Sequence, residues 1–231
     1  MAATVPVQRS GTEVRKDRYP GWLKTAFWVC VVIAVAVVLR RVVALAHPAQ
    51  GGASPMAGLD AVFGSHAILT LAHILPAMAF VLVTPFVLVR RSGGIWAERL
   101  FFPLGAVVGV TAYAMSVYSV GGWIERSAVL FFNSLFLFSL ARAYGSMRRG
   151  EAVEKMRWML RAVGILLGIA TTRPVMGVFF ATSRLTHLEP KQFFGIAFWI
   201  GFSINTIAIE LWLRSRGDRL PMGRMATHVG S

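Results

Sequence analysis

Five polar side chains interrupt apolar stretches of this 231-residue chain: Arg173, His73, Asn133, Asn205 and Tyr118. Arg173 lies within Lys155 to Phe180, KMRWMLRAVGILLGIATTRPVMGVFF. That run is long enough to cross a bilayer core about 30 Å thick. An arginine in hydrocarbon costs between about 3 and more than 10 kcal/mol, so it needs a partner. At the helical rise per residue, Arg173 sits about 15 Å inside the outer end of its helix. His73 reaches a similar level in its own apolar run, and Asn133, Tyr118 and Asn205 fall within a turn or two of it. One polar cluster in the outer half of a helix bundle would bind a small ligand, hold a quinone headgroup or relay a proton. The same residues also suit a structural network. Arg173 would then bond carbonyls freed near Pro174, with the Asn and Tyr side chains bridging helices.

A second constellation is expected near the cytoplasmic face, where Glu210, Arg161 and Arg142 share a depth. It reads as an ion pair clamping helices rather than as a catalytic set. His66 and His73 are seven apart, hence on one helix face and about 10.5 Å apart along it. One haem cannot take both as axial ligands, and a bis-histidine haem b would need His47 or His187 from the loops. Cys30 is the single cysteine, so neither a disulfide within the chain nor a CxxC metal site can form. No histidine spacing fits a metal site. Phosphate-binding glycine loops, a Ser/His/Asp set and paired intramembrane aspartates are all missing from the sequence, and no residue is assigned a catalytic role.

The elements that must position these groups are transmembrane helices. The chain is 56% hydrophobic and only 15% charged, with the charges clustered between long apolar runs. An all-α, polytopic bundle of six transmembrane helices follows. The spans are expected at Trp22 to Leu39 (extending toward Ala46), His66 to Val89, Leu100 to Val120, Ala128 to Tyr144, Trp158 to Ser183 and Gln192 to Leu213. Residues 1–21 and 215–231 are read as tails flanking a membrane domain over 22–214. Lys and Arg are dense in both tails and in the loops after spans two and four. The positive-inside rule therefore puts both termini in the cytoplasm. The net charge of +14 faces anionic lipid, and nucleic acid is set aside because no compact soluble basic domain exists to bind it. A competing reading makes the first span a signal peptide cleaved after Ala44-Leu45-Ala46. A short interfacial helix is sketched over 58–63. Gly164/Gly168 and Gly105/Gly109 have the spacing of close helix contacts, and Phe131, Phe132, Phe136 and Phe138 read as packing or lipid-facing surface.

The motifs RWMLR (Arg157 to Arg161) and TTRP (Thr171 to Pro174), together with His73 in LAHI, resemble a family of uncharacterised bacterial membrane proteins. That family is known as domain of unknown function 2306. The resemblance runs from about His66 to Phe180. It departs at two places where the family carries histidine, occupied here by Glu98-Arg99 and by Lys155. Those losses weaken any haem or metal role. The resemblance implies a polytopic membrane fold and no established activity.

The reading is therefore a multi-pass protein of the bacterial inner membrane, a non-enzymatic ligand-binding, transport-related or accessory component. The alternative is a membrane redox protein holding a quinone or haem b through the outer cluster. Membrane lipids are the expected partners; a second copy of the chain or another membrane protein is left open.

Overall fold

The computed structural model describes residues 19–46, 64–89, 95–186 and 190–217. Among them the chain is helical throughout apart from short turns, with no strand. The helices are α1 (Gly21–Ala46), α2 (Ala67–Val89), α3 (Ile95–Ser116), α4 (Gly122–Arg148), α5 (Ala152–Leu166), α6 (Gly168–Thr186) and α7 (Pro190–Gly217). They give six spans long and apolar enough to cross a membrane, the fifth made of α5 and α6 in series. His47, His187, the sketched helix over 58–63 and nearly all of both tails lie outside the described residues.

The helices alternate in direction. At one end, which carries Arg148, Arg149, Arg214 and Arg216, the Tyr19 hydroxyl donates to Leu88 O at 3.4 Å and the Tyr19 ring meets Trp212 at 5.8 Å. The start of α1 and the ends of α2 and α7 therefore share this basic end. At the opposite end the His66 and Tyr118 rings lie 3.8 Å apart, joining the start of α2 to the end of α3. Successive helices from α2 onward are neighbours, and α7 closes the bundle against α4, α5 and α6. α1 lies outside, touching α2 and α6.

Helical spacing explains the phenylalanine run. Phe132 and Phe136, four apart, share one face and are buried, whereas Phe131 and Phe138, seven apart, turn outward. Phe80 meets Phe101 at 4.5 Å and Phe136 at 5.8 Å, and Phe132 stacks on Phe202 at 5.3 Å, forming an aromatic spine. Gly164 and Gly168 do mark close contacts, with Ile209 and Phe202 of α7. Gly105 and Gly109 do the same with Leu140 and Leu137 of α4. Two contacts with a neighbour's backbone nitrogen were not legible from small-residue spacing. A Cβ on Gly195 would stand 2.6 Å from the Glu125 backbone nitrogen, and one on Gly201 would stand 2.7 Å from that of Thr172.

Three spans differ from expectation in their bounds. α4 is longer at both ends, because its first turn carries Glu125 and its last carries Arg148, charges that hydropathy excludes from a span. α3 begins at Ile95 rather than near Leu100, with Glu98 in its first turn. The fifth span is not one helix. At Leu167 the ladder tightens, with Ala170 N donating to Leu167 O at 3.0 Å, an i to i+3 bond. Gly168 follows directly and presses on Phe202.

Candidate functional site

A cavity of about 250 Å³ lies inside the bundle, with walls from α1 through α7. Toward the basic end it is lined by Val81, Phe136, Ile165 and Phe202. Toward the His66 end its walls turn polar, with Arg41, Thr70, His73, Glu125, Asn133 and Arg173.

Each polar group is placed by its own helix. His73, on α2 between the buried Thr70 and the Pro76 turn, has Nδ1 2.9 Å from Thr111 Oγ1 on α3. That hydroxyl also reaches Val107 O at 2.7 Å, and directing its proton there makes His73 Nδ1 the donor to Oγ1. The tautomer assigned from this network leaves His73 Nε2 as an acceptor. Asn133 Nδ2 donates to Gly109 O at 2.9 Å, reaching α3 where the missing Cβ lets the helices meet. Glu125 is 7% exposed and sits in the first turn of α4, where its Oε2 accepts from Gly121 N at 2.6 Å. A carboxylate in a first turn is stabilised by the orphan N–H groups and the positive end of the helix dipole.

Arg173 differs from all of these. Its Nε is enclosed and has no hydrogen-bond partner. Among the described residues its one bond runs from Nη1 to Met176 Sδ at 3.9 Å, a weak acceptor. The carbonyls near Pro174 do not take it up. The charges that reach it are Arg41, Arg40 and Glu125, yet no ion pair within 4.0 Å forms among the described residues. Its depth follows from the glycine contacts on α7. Gly195 lies level with Glu125 and Gly201 level with Thr172. Those six residues separate the two levels by about 9 Å. Arg173, one residue beyond Thr172, thus lies about 7 to 8 Å from the level of Glu125, and α6 projects past its neighbours.

Four of the five residues singled out from the sequence line this cavity: His73, Tyr118, Asn133 and Arg173. Tyr118 stands at its mouth, 47% exposed and against His66. Asn205 does not join them. Its Oδ1 accepts from Thr171 Oγ1 at 2.8 Å, and Cys30 Sγ lies 4.0 Å from that hydroxyl. Thr171 and Arg173 are two residues apart, about 200° around the helix, so they face opposite ways. Sequence reasoning did not single out Glu125 or Arg41 for this site. A carboxylate directly after the Gly121-Gly122 turn was the available signal for Glu125.

Near the basic end, Arg161 Nε donates to Glu210 Oε2 at 2.9 Å and Arg214 Nε to its other oxygen at 3.0 Å. Arg142 does not reach this carboxylate among the described ion pairs. It lies over the Trp158 ring at 5.2 Å, with Arg161 against the same ring at 4.4 Å. Lys155 Nζ pairs with Glu98 Oε1 at 2.8 Å, which joins the two stretches where the resembled family carries histidine. Among the described residues no group of three His, Cys, Asp or Glu is placed to hold a metal ion.

Comparison with known proteins gives one family. The model described as Predicted membrane protein (DUF2306) matches residues 70–213, more than half of the chain. The match takes in most of α2 and all of α3 to α6, and it leaves out α1. No curated protein and no solved structure matches the chain.

Proposed function

The chain belongs to the DUF2306 family of predicted membrane proteins, and from that premise we propose that it is a non-enzymatic binding protein of the bacterial inner membrane. Its ligand is a small amphiphile held within the helix bundle. The positive-inside rule turns the arginine-rich end toward the cytoplasm, so the polar half of the cavity lies in the outer leaflet.

The observation that carries this reading is the enclosed Nε of Arg173 at the polar end of a chamber whose other end is apolar. A buried donor without an acceptor costs about 1–3 kcal/mol, and more when charged. A ligand that brings an acceptor recovers that cost, while its apolar part displaces whatever fills the phenylalanine-lined end. Ligand sites generally combine such apolar walls with a few convergent polar groups.

The test is chemical identification of what the protein retains. Wild-type protein purified in mild detergent is expected to release a small amphiphile detectable by mass spectrometry. Ala112→Phe, which fills the cavity from α3, is expected to release none while keeping a normal melting transition. Equal occupancy in both proteins would defeat the reading. A quinone is the second candidate, favoured by His73 Nε2, which can accept a quinol proton while Arg173 donates to the opposite oxygen. A co-purifying quinone would select it.

A further inference from the structure

We infer that the head of the bound amphiphile is a carboxylate, and that the ligand is a single-chain fatty acid drawn from the surrounding bilayer. This rests on the reading of the cavity as a ligand site and adds the chemistry of its head and tail.

The first argument is charge. Arg173 lines the chamber, and Glu125 is the carboxylate on the same wall. The carboxylate is already engaged by Gly121 N at 2.6 Å and by its helix end. It makes no ion pair with Arg173 among the described residues, so this guanidinium has no anionic partner there. Interior charge is stable only when paired, and a neutral head would leave it unpaired.

The second argument is geometry. A guanidinium presents its N–H groups as a planar fork, and a carboxylate accepts two of them in parallel. In Arg173 the Nε–H is vacant and the only side-chain bond runs from Nη1 to a thioether, which leaves the Nε–H and Nη2–H fork open among the described residues. A planar two-oxygen acceptor takes that fork in parallel, as the Glu151 carboxylate does on Arg149. An alcohol or a single carbonyl satisfies one.

The third argument is shape. Along α2 the lining runs from Thr70 to Val81, a length of about 16 Å at the helical rise. Its volume of about 250 Å³ falls below the range of about 300–1,000 Å³ usual for ligand pockets. A long, narrow chamber with one polar end accepts one acyl chain, not two. The wall nearest lipid is α1, which contributes Ala34, Val38 and Arg41 and has only Val31 and Ala34 buried. Displacing this one helix opens the chamber sideways to the bilayer.

The experiment measures binding of dodecanoate, dodecanol, dodecyl phosphate and a short-chain ubiquinone to the full-length protein in nanodiscs of zwitterionic lipid. The pH is held above the carboxyl range so that the acid is ionised. Dodecanoate is expected to bind at least about tenfold more tightly than dodecanol, the ratio that one charge-assisted hydrogen bond supplies. Arg173→Gln is expected to erase that ratio. Glu125→Gln, which keeps an acceptor for Gly121 N–H but removes the opposing charge, is expected to tighten dodecanoate several-fold and leave dodecanol unchanged. This second variant decides the matter if Arg173→Gln fails to fold. Equal affinity for acid and alcohol, with no response to Glu125→Gln, overturns the carboxylate and leaves the cavity reading standing. Preference for the phosphate or the quinone likewise overturns it. Absence of binding by all four probes overturns both.

Discussion

α1 and the α4–α6–α7 assembly are both apolar helices, yet they are held by different means. α7 meets its neighbours backbone to backbone. Gly195 rests on the start of α4 and Gly201 on Thr172 of α6, and Thr172 has no exposed surface at all. Side-chain bonds reinforce these contacts, including Trp199 Nε1 to Ser127 Oγ at 3.3 Å and Arg161 to Glu210 at 2.9 Å. α1 has no such glycine seat and buries only Val31 and Ala34. In hydrocarbon the hydrophobic effect does not press helices together, so close packing and polar bonds decide association. By these glycine contacts α4, α6 and α7 form the tight assembly, and α1 stands outside it as the wall toward lipid. The family match draws the same line, starting at Thr70 and excluding α1.

The sharpest way to break this contrast is to add bulk on each side of it. Gly201→Leu drives a side chain into the Thr172 backbone, 2.7 Å from the glycine's Cβ position. Overpacking costs about 1–3 kcal/mol when neighbours can shift, and a helix backbone shifts less readily than a side-chain tip. Gly201→Leu is therefore expected to abolish monodisperse, folded protein on size-exclusion chromatography. Val32→Leu, on the lipid face of α1, is expected to change stability by less than about 0.5 kcal/mol. Val32 is 65% exposed. A Gly201→Leu protein that melts like wild type would erase the distinction.

The Glu210 clamp tests whether polar bonds add to the glycine contacts. Arg161 and Glu210 side chains are 19% and 32% exposed, between the buried and surface cases. Removing one partner of a buried pair costs about 3–5 kcal/mol and a surface pair about 0–1 kcal/mol. Glu210→Gln is expected to cost roughly 1–2 kcal/mol between these limits, read as a lowered melting temperature in detergent. Arg161→Lys should lose part of this, because an ammonium keeps the charge but not the planar stack on Trp158. No change in either variant would leave helix packing alone in charge of the assembly.

Much of this arrangement was legible in the chain. Span number follows from runs of apolar residues, since only helices satisfy their backbone within a bilayer. His73, Asn133, Tyr118 and Arg173 were found by depth, because polar groups on different helices at one level can meet. Depth does not give azimuth, however, which is why Asn205 faces Thr171 and why Arg142 lies on Trp158. Glu125 escaped because a charge beside a glycine turn looks like a helix end in solvent, and only the packing of Gly195 shows it to be enclosed. The glycines of α7 escaped for a related reason. Gly195 and Gly201 are six apart and touch different helices, so no small-xxx-small pattern marks them.

The turn between α4 and α5 offers a smaller test, since it joins two helices of the tight assembly through backbone bonds. Gly150 has φ +74, a left-handed conformation that costs other residues about 1–2 kcal/mol. Glu151 N donates to Ser146 O at 2.9 Å and Gly150 N to Met147 O at 3.1 Å. This is the Schellman pattern, which satisfies the last carbonyls of α4. Gly150→Ala is expected to cost about 1 kcal/mol, seen as faster hydrogen exchange in the first turn of α5. Unchanged exchange would mean the glycine is not what sets the turn.

The weakest effect is also in this turn, and it is pH-dependent. Arg149 Nε donates to Glu151 Oε1 at 2.7 Å and Nη2 to Oε2 at 2.9 Å. This two-pronged bond holds the Glu151 carboxyl below the usual carboxylate range and raises the Arg149 guanidinium further above neutral. The unfolded chain therefore binds a proton to Glu151 at a higher pH than the folded chain does. The stabilisation is fully present above the unfolded carboxyl value and is lost as pH falls through the lowered folded one. Both side chains are well exposed, so salt should screen the effect. The expected observation is an acid-induced rise in hydrogen exchange confined to the α4–α5 turn, absent in Glu151→Gln and reduced by salt. The contact of Gly201 with Thr172 carries no titrating group, so exchange around Gly201 should stay flat over the same range. A parallel rise at Gly201 would show that the turn and the helix seats open together, making the assembly one cooperative unit rather than a packed core with a charge-trimmed corner.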